Sequence, residues 1–113
     1  MENRDYLFVY GLFRDQGNNL LGEDSILCGR ASIKGILYRV DSFYPGYVEG
    51  SSLVWGDFYL INKDVFPALD EYEGEEYEKV KVKTSSDLCC TVYKYKFPVD
   101  KFEVIESGDW MLR

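Results

Sequence analysis

Apolar residues follow a strand-like alternation over most of this chain and a helical spacing only once, which predicts a sheet protein with a single helix. Tyr6-Leu7-Phe8-Val9-Tyr10 is an apolar, aromatic run ending at Gly11, as in a buried strand that stops at a turn where backbone comes close to something. Residues 15–19 are loop-like, and a short Leu20-Leu21 apolar step follows. Residues 25–40 form the longest β-rich stretch, with Ile26, Cys28, Ala31, Ile33, Ile36, Tyr38 and Val40 interrupted by Gly29 and Gly35. Bends or bulges at those glycines curve the sheet and favour a closed barrel. Tyr44-Pro45-Gly46-Tyr47 reads as a turn rimmed by aromatics, and residues 52–61 as a strand with Val54, Gly56, Phe58 and Leu60 on one face.

From Asn62 the period changes. Val65, Phe66, Leu69 and Tyr72 fall at helical spacing, with Asn62 or Asp64 as N-cap and Gly74 as the stop. Pro67 is tolerated only near the first turn, which favours Asp64 as the cap. Residues 77–84 then alternate Val80 and Val82 with Lys79, Lys81 and Lys83, a half-buried strand with a lysine-rich outer face. Residues 89–97 place Cys89, Thr91, Tyr93, Tyr95 and Phe97 on one side, and these two strands are expected to be antiparallel neighbours. Near the end, Val104-Ile105 is a last apolar step before a turn whose Trp110 caps the core.

Composition narrows the function. The 113 residues suit one domain, 1–113, and 46% hydrophobic with 17% aromatic content is too much apolar mass for a disordered chain. A net charge of −7 gives phosphate backbones and anionic membranes no reason to approach, so neither nucleic acid nor membrane is an expected partner. The charged start is followed by only a strand's length of apolar residues, which is neither a secretory core nor a span, and a cytoplasmic location is expected. The chain has no histidine, which removes the usual proton shuttle and most zinc sites; chemistry must run on carboxylate, tyrosine, lysine or cysteine. Cys28, Cys89 and Cys90 show neither a disulfide framework nor zinc spacing, and each is read as a buried thiol.

The carboxylate best placed for acid/base work is Glu73. It ends the helix, near the negative pole of the helix dipole and among aromatics, and both effects raise its pKa toward neutrality. Asp70, Glu71, Glu73, Glu75, Glu76 and Glu78 together read equally as a solvated acidic face, and they lack the loop spacing of a calcium site. The Tyr10-Gly11-Leu12-Phe13 turn can present successive N–H groups to an anion, with Arg14 adding charge. Tyr93 and Tyr95 either reach a ligand from an inner sheet face or pack as core with satisfied hydroxyls.

A resemblance adds what spacing cannot. The order Phe8-Val9-Tyr10-Gly11-Leu12-Phe13-Arg14, Gly35-Ile36-Leu37-Tyr38, Tyr44-Pro45-Gly46, Val54-Trp55-Gly56-Asp57-Phe58-Tyr59, Leu69-Asp70-Glu71-Tyr72-Glu73-Gly74 with Tyr77, and Ser107-Gly108-Asp109-Trp110 resembles the γ-glutamylcyclotransferase-like family over nearly the whole chain. The resemblance implies an α+β fold: a small mixed, mainly antiparallel β-barrel with one main flanking helix and a cavity at one end. It implies cyclisation of γ-glutamyl amines or peptides to 5-oxoproline and a free amine, with no cofactor and no metal. By the same resemblance Glu73 is the catalytic acid/base, and Tyr10, Gly11, Leu12 and Phe13 form the loop that grips the glutamyl head. Arg14, Tyr77 and Tyr95 complete the expected substrate-binding set. The family commonly has Ser or Thr where Leu12 stands and Leu where Phe13 stands, so a binding hydroxyl is missing and the pocket is greasier. Two other readings stay open: a non-catalytic module holding an amino-acid-like or carboxylate ligand, and an interaction protein using its tyrosines. The amine's side of the pocket is expected from loops 15–19 and 42–51, and the oligomeric state is open.

Overall fold

Six strands and one α-helix form where the apolar periods change, in a computed structural model that describes residues 3–11 and 19–113. The strands are β1 (Arg4–Val9), β2 (Ile26–Arg39), β3 (Pro45–Asn62), β4 (Tyr77–Lys83), β5 (Cys89–Tyr95) and β6 (Glu103–Val104), with α1 (Phe66–Glu73) between β3 and β4. They make one sheet in the order β4-β5-β1-β3-β2-β6. β1 and β5 run parallel, with Leu7 opposite Thr91, and the other pairs are antiparallel. The expected pairing of the lysine-rich strand with its tyrosine-rich successor is the β4/β5 ladder. Among the described residues no helix is long and apolar enough to cross a membrane.

The β2/β3 register shifts between Leu27 and Gly29 and again between Lys34 and Ile36, at the two places where glycine breaks the pattern. These irregularities curl the sheet. The ladder starts at β4 and ends at β6, so the result is a mixed, mainly antiparallel half-barrel with one main helix rather than a ring closed by hydrogen bonds. Where the curl brings the start of β3 round to β4, a side chain makes the connection: the Tyr77 hydroxyl donates to the Pro45 carbonyl at 2.7 Å.

Apolar side chains gather in two clusters. One contains Phe8, Ile33, Leu37, Val54, Phe58, Cys90, Val92 and Trp110, so Trp110 caps the core as expected. The other puts Leu7, Val9, Ile61 and Tyr93 against Leu69 of α1. Both sides of β5 are therefore covered, because it lies between β4 and β1 with α1 over one face.

Three local expectations are corrected. Tyr44-Pro45-Gly46-Tyr47 is not a turn: β3 begins at Pro45, where a strand's first residue tolerates the missing N–H, and the reversal lies just before it. Its hydrogen bonds are Asp41 N–H to Tyr44 O and Phe43 N–H to Asp41 Oδ1, both at 3.0 Å. Most of the supposed loop 42–51 is thus strand. Asp64 is not the cap: the helix is preceded by a 3-10 turn, Lys63–Val65, which Asn62 caps by accepting the Asp64 N–H on Oδ1 at 2.9 Å, and α1 itself starts after Val65 without a side-chain cap. Pro67 then sits in the first turn of α1, and Gly74 ends it with φ +78° and its N–H on Asp70 O. Of the three thiols only Cys90 is buried; Cys28 and Cys89 are exposed near the strand ends.

Candidate active site

The end of α1 meets the ends of β1 and β5 at a cavity of about 360 Å³. Its sheet side is Leu7, Phe8, Val9, Tyr10 and Gly11, where β1 runs out. Tyr72, Glu73, Glu76 and Tyr77 come from the helix end and the start of β4, Tyr93 from β5, and Tyr44 and Pro45 from the start of β3. Gly11 packs on Pro45: a Cβ added there would lie 3.1 Å from Pro45 Cδ. The close approach read from the strand's terminal glycine is thus its packing on Pro45.

Glu73 is the last helical residue, and the apolar spacing that turns Leu69 into the core brings Glu73 to the cavity wall. It is partly buried, and desolvation pushes its carboxyl up from 4.5 to about 7. The helix dipole, expected to add to this, is not a resolved cause; burial is. Among the described residues no hydrogen-bond donor reaches the Glu73 carboxylate. A proton-accepting group poised near neutrality is what acid/base transfer requires.

Three phenols stand close enough to Glu73 for its charge to disfavour their ionisation: Tyr10, Tyr77 and Tyr93. Burial is the main cause of their raised pKa values, and the carboxylate adds to it. Each phenol proton already has a partner. Tyr10 donates to Tyr93 O at 2.6 Å and accepts from Tyr47 N–H at 3.2 Å. Tyr77 donates to Pro45 O, and Tyr93 donates to Asp70 Oδ1 at 2.6 Å. The other Asp70 oxygen takes Lys79 Nζ at 3.1 Å. Desolvation opposes ionisation of Asp70, but the bonds from Tyr93 and Lys79 outweigh it and hold its carboxyl below the usual value.

The structure therefore brings Glu73, Tyr10, Gly11 and Tyr77 to one cavity. Tyr95 is not on its lining; its ring packs edge-on against Tyr77 at 5.4 Å and against Phe97 and Phe102. Leu12, Phe13 and Arg14, and the expected amine-side loop apart from Asn19, lie outside the described residues. Sequence reasoning missed Tyr72, which showed only as a helix core position, and Glu76, which showed only as part of an acidic run. Tyr44 and Pro45 had a visible signal in the aromatic rim of the supposed turn. Among the described residues no three acidic or thiol groups come together as metal ligands.

Comparison with known proteins follows the same lines. The family model described as "Gamma-glutamyl cyclotransferase, AIG2-like" matches residues 7–112. The "Gamma-glutamylcyclotransferase family protein YtfP" of Escherichia coli (strain K12) is 36% identical over 110 residues, covering 95% of this chain and 96% of its own. The solution NMR structure of protein ytfP from Escherichia coli matches with a TM-score of 0.75 at 36% identity, over 94% of this chain and 96% of that one. The crystal structure of an AIG2-like protein from Mus musculus, at 18% identity, shares the fold with a TM-score of 0.73 over 88% of this chain and 82% of that one. The chain belongs to the gamma-glutamyl cyclotransferase, AIG2-like family.

Proposed function

We propose that the protein is a γ-glutamyl cyclotransferase that converts a γ-glutamyl amine or γ-glutamyl peptide to 5-oxoproline and a free amine, with Glu73 as acid and base. The observation that carries this reading is a partly buried carboxyl with a pKa of about 7 on the wall of a 360 Å³ cavity that also contains the Tyr10 and Gly11 backbone. Glu73 accepts a proton from the substrate's α-ammonium. The freed nitrogen attacks the γ-carbonyl of the same molecule, closing a five-membered ring and giving up a second proton, and as its bond to the carbonyl carbon breaks the departing amine takes up both protons, one from Glu73, and leaves as an ammonium.

Because nucleophile and electrophile belong to one molecule, holding the glutamyl chain folded supplies much of the rate. In this proposal the backbone of residues 10–13 receives the carboxylate or the developing oxyanion, which backbone N–H groups do without any hydroxyl at position 12. Arg14 is assigned to the same head group, and Tyr77 shapes the wall opposite. Tyr95 acts through Tyr77, whose ring it supports. No step calls for a cofactor. The whole chain works as one unit in the cytoplasm on this reading.

The test is release of 5-oxoproline from a panel of γ-glutamyl amines and dipeptides. Native protein is expected to release it, and Glu73→Gln to lose activity by on the order of 10²-fold or more. Binding of such compounds without any release by the folded native protein would replace this reading with a non-catalytic binding module.

A further inference from the structure

Phenols beside a carboxylate normally donate to it and lower its pKa, yet Glu73 keeps a high one among Tyr10, Tyr77 and Tyr93. The hydrogen bonds explain why. A carbonyl cannot donate, so the single protons of Tyr10 and Tyr77 are committed to Tyr93 O and Pro45 O. The third commitment differs in kind: Tyr93 donates to a side chain, Asp70, which is itself half exposed and held by Lys79. Asp70 lies three residues before Glu73 on α1, so the two carboxyls are neighbours on the helix surface, and the Tyr93 hydroxyl is close enough to Glu73 to feel its charge.

We propose that Asp70 is a positioning residue that holds the Tyr93 hydroxyl proton away from Glu73, leaving Glu73 without a donor among the described residues and turning the Tyr93 hydroxyl oxygen toward the cavity as an acceptor. The Tyr77 and Tyr93 hydroxyls then have only lone pairs left to offer, which suits a primary ammonium and not a carboxylate, while the buried Tyr10 hydroxyl also accepts from Tyr47 N–H. An ammonium docked there finds in Glu73 a carboxylate able to take its proton. The other polar side chains on the cavity lining are those of Glu76, Tyr44 and Tyr72. The inference rests on Glu73 being the cavity's proton acceptor, not on the γ-glutamyl substrate.

The test reads the Glu73 carboxyl directly, without substrate, by NMR titration of ¹³C-labelled glutamate side chains, with Glu73→Gln to assign the signal. Tyr93→Phe, which preserves shape, is expected to leave the midpoint near 7; a rise of about one unit or more would mean that Tyr93 donates to Glu73 and would overturn the proposal. Asp70→Ala is expected to lower the midpoint by about one unit or more when Tyr93 is present. Part of that shift comes from removing a negative charge, and the same substitution in the Tyr93→Phe background measures that part alone. A clearly smaller shift in that background supports the proposal, and equal shifts in the two backgrounds refute it. Asp70→Asn, which keeps an acceptor for Tyr93, should give the small, charge-only shift. Since no turnover is measured, failure of the cyclotransferase reading would appear separately, as absent 5-oxoproline in the presence of a normal Glu73 titration.

Discussion

Glu73 costs the fold stability whenever it is ionised. Its carboxyl is raised from 4.5 to about 7, so between those values the folded protein binds more protons than the unfolded chain, and stability falls as pH rises. The contribution is fully present below 4.5 and is lost through pH 7, amounting to at most about 3 kcal/mol before solvent screening. Urea unfolding of native protein and Glu73→Gln should show the variant gaining on the native protein between pH 5 and pH 8. The same titration governs turnover: a base must be ionised to accept a proton, so kcat/KM should fall below about pH 7 in a 5-oxoproline assay. Glu73 was legible in the sequence because helical spacing and Gly74 locate a helix end. The fate of the phenol protons was not, since Tyr10 and Tyr93 are 83 residues apart and meet only in the fold.

At the scale of elements, helix α1 was legible from Val65, Phe66, Leu69 and Tyr72, whereas its start was misplaced. Pro67 pointed to Asp64, but a 3-10 turn precedes the α-helix and shifts the capping role to Asn62, which also accepts from Asn3 Nδ2 at 2.7 Å. Asn62→Ala is accordingly expected to lose about 1 kcal/mol in urea unfolding, and Asp64→Ala about 0.5 kcal/mol or less. The start of β3 was misread for a related reason. Pro45-Gly46 is a turn signal locally, yet Leu37, Tyr38 and Arg39 of β2 offer it partners as far as Tyr47, and pairing decides. Pairing also leaves the Pro45 carbonyl free for Tyr77. Tyr77→Phe removes that bond between the two ends of the curled sheet and should destabilise the protein by about 1 kcal/mol, with a raised KM because Tyr77 and Pro45 both line the cavity.

For the whole molecule, closure depends on the carboxyl-terminal segment folding back on β3. Gly108 has φ +69°, donates to Ile105 O and accepts from Trp55 N–H at 2.8 Å; a Cβ there would fall 2.0 Å from Leu53 O. Next to it the buried Asp109 takes Arg30 Nη2 at 2.9 Å and Met111 N–H at 3.0 Å, which seats Trp110 in the core. Gly108→Ala meets both a backbone conformation disfavoured for L-residues and a backbone clash. The expected loss is on the order of 3 kcal/mol or more, seen as a lower urea midpoint and a red-shifted tryptophan emission. Residue types alone give Ser107-Gly108-Asp109-Trp110 no such role beyond a turn that caps the core.

The sequence by itself determined what local periodicity controls: the strands, the single helix, the bends at Gly29 and Gly35, and a glutamate at a helix end in a chain without histidine. Motif order added the family. Beyond the expected β4/β5 pair, only the tertiary structure decided how the strands neighbour one another, above all the parallel contact of β1 with β5, which no turn or local pattern encodes. It also decided that Tyr95 supports the cavity from behind while Tyr93 faces it, although period two puts both on one side of β5. Burial and hydrogen bonding at Glu73 come from chain segments far apart in sequence. Desolvation is a property of everything that surrounds a group, so it exists only once those segments have met.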